Sequence, residues 1–187
     1  MPRKSRTADY ERIHPKSLAE WRRWLHANHA TKPGVWLVGY KAATGRPRLT
    51  YEDTIPDALA YGWIDSVNRP LDDERTALLF TPRRPGSGWS RSNKERVSRL
   101  LREGGMARAG LAKIAAAKRD GSWSLLDSVE ALEMPNDLRK ALGAKGVRAF
   151  ETLTPGRRKA HLASLATAKR PETRAKRIAT IRVALGP

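Results

Sequence analysis

Apolar positions in the first quarter of the chain fall at helical spacing. Leu18, Trp21, Trp24 and Leu25 recur at i, i+3 and i+4 behind Ser17-x-x-Glu20, which has the form of a capping box. A helix is predicted from there to about His29, stopped by Lys32-Pro33-Gly34. The run Gly34–Tyr40 is β-branched and aromatic and predicts a strand, broken at Thr44-Gly45-Arg46-Pro47. Thr50–Ala60 predicts a second helix with Thr50 and Asp53 as cap candidates. Pro56 there calls either for a start at Thr54 or for a kink. Gly62–Ser66 and Thr76–Thr81 predict two more strands around a turn at residues 68–75.

After Pro82 the pattern changes to Phe80–Gly105, FTPRRPGSGWSRSNKERVSRLLREGG, a stiff basic loop entering a basic helix. Ser90 or Ser92 is its cap candidate, Val97, Leu100 and Leu101 its apolar side, and Gly104-Gly105 its stop. A further helix is predicted over Ala107–Lys118. From about Pro135 the pattern is helical throughout: 136–142, 147–153, a helix from Thr154-Pro155 to Lys169, and a last one over Thr173–Leu185. The expectation is an α+β fold, a small and mainly antiparallel sheet of about three strands with helices, followed by a C-terminal helical subdomain. The boundaries expected are a basic flexible arm over 1–12, an α+β domain over 13–121, a hinge over 122–134 and the helical part over 135–187.

Charge sharpens this picture. Lys and Arg number 37 against 19 Asp and Glu, a net charge of +18 in 187 residues. The excess is concentrated, with +8 over 81–118 and +8 over 155–187. Basic segments of this kind fit a polyanion such as nucleic acid, or an acidic protein partner. The candidates for such a face are Arg84, Arg91, Lys94, Arg99, Arg102, Lys169, Arg174 and Arg177. The absence of cysteine excludes disulfides, thiolate catalysis and Cys-ligated zinc. No apolar run approaches the ~20 residues that span a bilayer, and the basic start carries no apolar core of a secretion signal, so a cytoplasmic protein is expected. No heptad or apolar strip speaks for an oligomeric state.

The chain resembles the YdeI/OmpD-associated family, also called bacteriocin-protection or OmdA-like proteins. The resemblance is carried by Trp21…Trp24-Leu25…Asn28-His29, by Gly34-Val35-Trp36-Leu37, and by Leu49-Thr50-Tyr51-Glu52…Gly62-Trp63-Ile64-Asp65-Ser66. It continues through Phe80-Thr81-Pro82-Arg83…Trp89-Ser90…Asn93, Ala117-Lys118…Asp120-Gly121…Trp123, and Ala168-Lys169-Arg170-Pro171-Glu172-Thr173-Arg174…Arg177-Ile178. It implies a small α+β unit with a helical tail and a role in stress or bacteriocin tolerance.

Two constellations remain. His26 and His29 sit i, i+3 near a helix end with no third ligand at suitable spacing, so no metal site and no cofactor is expected. Asp65, Ser66, Arg83, Trp89, Ser90 and Asn93 are candidates for a ligand or anion pocket. Their structural alternative is that Asp65 holds Arg83, Asn93 caps the loop and Trp89 is core. No nucleophile motif, phosphate-binding glycine loop or nearby histidine base accompanies them, so binding is expected rather than catalysis, with no catalytic residue named.

Overall fold

The computed structural model describes residues 10–186. The chain divides into two compact units: the first runs to Ser87 and resumes over Asn93–Ala116, and the second takes Gly88–Ser92 and everything from Ala117. Of the basic arm expected over 1–12, residues 1–9 lie outside the described residues.

The first unit holds a four-stranded sheet of β1 (Arg12–Ile13), β2 (Val35–Tyr40), β3 (Trp63–Pro70) and β4 (Arg75–Pro82), in the order β1-β2-β4-β3. β1 pairs parallel to β2, and the other pairings are antiparallel. The α+β class with a mainly antiparallel sheet is therefore as expected. The strand beyond the expected three is β1, only two residues long, with no alternation from which a pattern could announce it. β3 runs on to Pro70, where a turn was expected from residue 68. It can do so because it is an edge strand, where a proline's missing N–H need not break the ladder.

Helices α1 (Leu18–Asn28) and α2 (Tyr51–Ala60) pack on one face of this sheet's core. Ser17 caps α1 by accepting from Glu20 N–H, and Glu20 reaches back to the Lys16 N–H at 2.7 Å, one residue earlier than the usual box. Thr50 and Asp53 form a complete capping box on α2, with Thr50 N–H to Asp53 Oδ2 at 2.7 Å. α2 thus starts at Tyr51 and runs through Pro56, which withholds the N–H that the Glu52 carbonyl would otherwise receive. Trp21, Leu25, Ile55, Leu59, Trp63 and Phe80 are fully buried. Trp21 Nε1 donates to the Thr54 carbonyl at 3.0 Å and Trp63 Nε1 to the His29 carbonyl at 3.1 Å, so neither indole N–H is buried unpaired. Each indole removes roughly 200 Å² from water, worth about 5 kcal/mol before entropy is counted.

α3 (Arg91–Arg102) and α4 (Arg108–Arg119) follow. Val97 and Leu100 of α3 are buried as expected, but Leu101 is half exposed: it follows Leu100 by about 100° around the helix and cannot share its face fully. α4 meets the end of α2, where Ala107 N–H bonds the Ala60 carbonyl at 3.1 Å. A Cβ at Gly110 would stand 2.2 Å from that same carbonyl oxygen, so only glycine allows this approach.

The second unit is helical: α5 (Asp127–Glu130), α6 (Asn136–Glu151), α7 (Pro155–Ala166) and α8 (Pro171–Ala184). Val129, Leu138, Leu142, Phe150, Leu162, Leu165 and Ile181 form its core. Residues 122–134, read from sequence as a hinge, supply Leu126, Val129, Leu132 and Met134 to that core. α6 is two short helices joined at Gly143, whose φ of 62° and ψ of −179° lie outside the helical region. α7 ends at Ala166, three residues before the expected Lys169; Arg170 is extended ahead of Pro171, and α8 begins on that proline.

Candidate ligand-binding cavity

Strand alternation sorts the sheet into two faces. Trp36, Val38, Ala77 and Leu79 share a buried cluster with Tyr10 and Leu71, and the Arg69 guanidinium lies 4.3 Å from the centroid of the Trp36 ring. Val35, Leu37 and Gly39 of β2 and Thr76, Leu78 and Phe80 of β4 therefore point to the other side. Register pairs them in three rows: Val35 with Phe80, Leu37 with Leu78, Gly39 with Thr76. Trp21 fills the first row, its ring 5.2 Å from Phe80. The last row is unfilled, and a side chain at Gly39 would meet nothing within 4 Å. A cavity of about 520 Å³ opens there, within the range of small-molecule sites.

Leu37, Gly39, Leu78 and Thr76 make its floor, and Ser66 and Asn68 border it from β3 beside a bulge between Asp65 and Asn68. Thr50, Tyr51 and Thr54 from the first turns of α2 form a wall, and the loop Pro47–Leu49 and the segment His14–Lys16 complete it. Among the described residues, every one that lines it belongs to the first unit.

Polar groups are arranged around this apolar floor. The Tyr51 hydroxyl donates to Asp65 Oδ2 at 3.1 Å. Burial, then the Asp65 charge and that hydrogen bond, hold the phenol above its ordinary pKa. Arg96 makes a two-pronged pair with Glu52 at 2.7 and 2.8 Å, donates to Asn93 Oδ1 at 3.1 Å, and places its guanidinium 5.9 Å from the Tyr51 ring centre. The His14 ring packs edge-on against Tyr40 at 4.9 Å. Burial first, then the charges of Lys16 and Arg75, depress its pKa, so it is neutral at neutral pH. Lys16 and Arg48 bring two exposed cations to the walls.

Of the six pocket candidates read from sequence, Asp65 and Ser66 line the cavity, while Arg83, Trp89, Ser90 and Asn93 are not among its walls. Arg83 is buried at 4% exposure; burial pushes its guanidinium down to about 10, against the opposing pull of Asp65. Asn93 is buried under Arg96. Trp89 is 1% exposed with its ring 5.0 Å from Trp123, which leaves no face for a stacked base. Ser90 Oγ lies 3.2 Å from Ser92 Oγ, and both residues, like Trp89, belong to the second unit.

The candidates for a polyanion face divide between the units. Arg84, Arg91, Arg99, Arg102 and Lys169 are exposed and Lys94 is half-buried. Arg102 donates to Ser98 Oγ at 2.9 Å. Arg174 and Arg177 have internal work in the second unit. Arg174 grips Asp137 at the start of α6 with two bonds of 2.6 and 2.9 Å and donates to the Leu165 carbonyl at 3.0 Å. Arg177 donates to the Ser164 carbonyl and to Thr167 Oγ1. Both guanidiniums thus end on carbonyls of the last turn of α7, adding to the bonds these receive from Ala168 N–H and the Thr167 hydroxyl. His26 and His29 face Tyr61, and His29 Nδ1 lies 2.9 Å from the Leu25 carbonyl oxygen. Among the described residues no three His, Cys, Asp or Glu side chains gather for a metal, and no helix is long and apolar enough to cross a membrane.

Sequence reasoning missed His14, Lys16, Gly39, Arg48 and Tyr51. The signal available was Gly39, a glycine within a β-branched and aromatic run, which marks a bulge or a place where something else approaches the backbone.

Two family models match the chain. One, described as a domain of unknown function (DUF8412), covers residues 13–113; the other, described as Bacteriocin-protection, YdeI or OmpD-Associated (OmdA), covers residues 131–185. The YdeI/OmpD-associated resemblance, drawn from sequence over most of the chain, is thus matched by that model over the helical tail only. No curated protein and no solved structure matches.

Proposed function

Since the chain belongs to the DUF8412 family over residues 13–113, the span that holds the whole cavity, we propose that its first unit binds a small, partly apolar organic molecule between α2 and the sheet. One observation carries this reading: the Gly39–Thr76 row is left empty where the adjoining rows of the same face carry Leu37 with Leu78 and Val35 with Phe80. Close packing is the rule in protein interiors, and a space of this size beside hydroxyls, an amide and a carboxylate fits a ligand. The reading is binding: of the wall hydroxyls that meet a carboxylate, Thr50 is engaged in the cap of α2 and Tyr51 ties that helix to Asp65 on β3.

The experiment is a thermal-shift screen of small organic molecules against the wild type and Gly39→Val. A subset should raise the melting temperature of the wild type and leave the filled variant unmoved. Equal responses from both proteins would remove the cavity from the protein's function.

Polyanion binding is a second reading, supported by the exposure of Arg84, Arg91, Arg99 and Arg102 in and beside α3. Anisotropy of labelled single- and double-stranded DNA and RNA over about 50 to 300 mM salt tests it, because phosphate neutralisation makes affinity fall steeply with salt. Reversal of Arg91 and Arg99 to Glu should then abolish binding. Binding insensitive to salt would instead speak for the cavity. An acidic protein partner would engage the same cations and shares their salt dependence.

A further inference from the structure

Resting on the reading of the cavity as the binding site, we infer that its ligand is an organic anion, an apolar body ending in one carboxylate-type head. Among the described residues the walls contain a single carboxylate, Asp65, and its charge is already answered: the Tyr51 hydroxyl donates to it at 3.1 Å, and its field reaches the buried Arg83. Two cations in the same walls are not answered in this way. Among the described residues, neither Lys16 Nζ nor the Arg48 guanidinium has an ion-pair or hydrogen-bond partner. Asp53, the acid whose charge Arg48 feels, is occupied by the cap, accepting from the Thr50 N–H and hydroxyl at 2.7 Å each.

The surroundings of His14 agree. Burial first, and then the charges of Lys16 and Arg75, disfavour its proton, so beside the two wall cations the imidazole stays neutral and able to donate a hydrogen bond. The same walls hold Leu37, Leu49 and Leu78 and the open space at Gly39. An anion can place its head between Lys16 and Arg48 and lay its chain on that floor. A neutral molecule forgoes the head contact, and a cation meets repulsion.

A charge series on one body tests this: octanoate, octanol and octyltrimethylammonium, each titrated calorimetrically below its micellar concentration. The wild type should bind octanoate roughly tenfold more tightly than octanol, and octyltrimethylammonium more weakly still. The double variant Lys16→Glu/Arg48→Glu changes two exposed side chains and should reverse the order of the charged pair while leaving octanol unchanged. Gly39→Val should weaken all three. Octanol binding as tightly as octanoate, or an order unchanged by charge reversal, overturns the anion inference and leaves the cavity standing. Absence of binding by all three, or full binding by a folded Gly39→Val, overturns the cavity reading and the inference with it.

Discussion

The Tyr51 hydroxyl donates to Asp65 Oδ2 at 3.1 Å, joining the first residue of α2 to edge strand β3 beside the cavity. The phenol is held above its ordinary pKa chiefly by burial and next by the Asp65 charge. Asp65→Asn should therefore lower the ionisation pH of Tyr51, read as the component of an alkaline absorbance titration that Tyr51→Phe removes. A raised phenol pKa favours the folded state below about pH 10, and that contribution is lost as pH rises through the folded value. An unchanged titration in Asp65→Asn would refute the coupling.

Asp65 also offsets the burial of Arg83. Taking away that negative charge while the guanidinium stays buried should cost the first unit about 2 kcal/mol. Urea melts of Asp65→Asn at neutral pH check this. A cost no larger than that of an exposed Asp→Asn change would show that other groups carry Arg83.

Acid should loosen the second unit through two carboxylates. Arg174 holds Asp137 below the usual carboxylate range by hydrogen bonding first, and Lys159 does the same for Glu130 at 2.5 Å. A depressed pKa supplies stability that is present above the unfolded value of about 4 and is lost as pH falls through the folded one. Asp137 is partly exposed, so about 1 kcal/mol is its share after screening. Asp137→Asn should flatten the dependence of stability on pH below about 4, measured by denaturant melts at stepped pH.

Gly143→Ala tests the break in α6. A Cβ there would meet nothing within 4 Å, so any loss is conformational: the observed φ of 62° with ψ of −179° is a region that essentially glycine alone populates. The expected cost is about 1–3 kcal/mol, seen as a lower melting temperature. A neutral result would mean that the two halves of α6 can rejoin without strain.

Much of this architecture is legible in the chain. Ser17, Thr50 and Thr154 cap the helices they were read to cap, because a cap is a local hydrogen bond three residues long. Strands β2 and β4 declare themselves by residue type. The cavity does not, since it exists only where Gly39 lies opposite Thr76, and that pairing joins residues 37 positions apart. Arg174 and Arg177 read as outward cations by helical spacing. Their long side chains fold back to carbonyls and to Asp137, contacts that spacing along α8 cannot reveal. Trp89 illustrates the same limit, as its partner Trp123 is 34 positions away.

That pairing bears on how the molecule can be cut and assembled. The helical tail takes an indole from a five-residue detour, Gly88–Ser92, made while the chain is otherwise building the other unit. A Cβ at Gly88 would stand 2.7 Å from Leu126, so even the backbone of the detour is fitted against that tail. A fragment starting at residue 117 would contain the entire span matched by the tail's family model and still leave a hole the size of an indole. On the ribosome, Trp89 emerges well before Trp123, and its seat is complete only after the later helices have been made. The tail is thus a contiguous segment in sequence without being a transplantable piece in space.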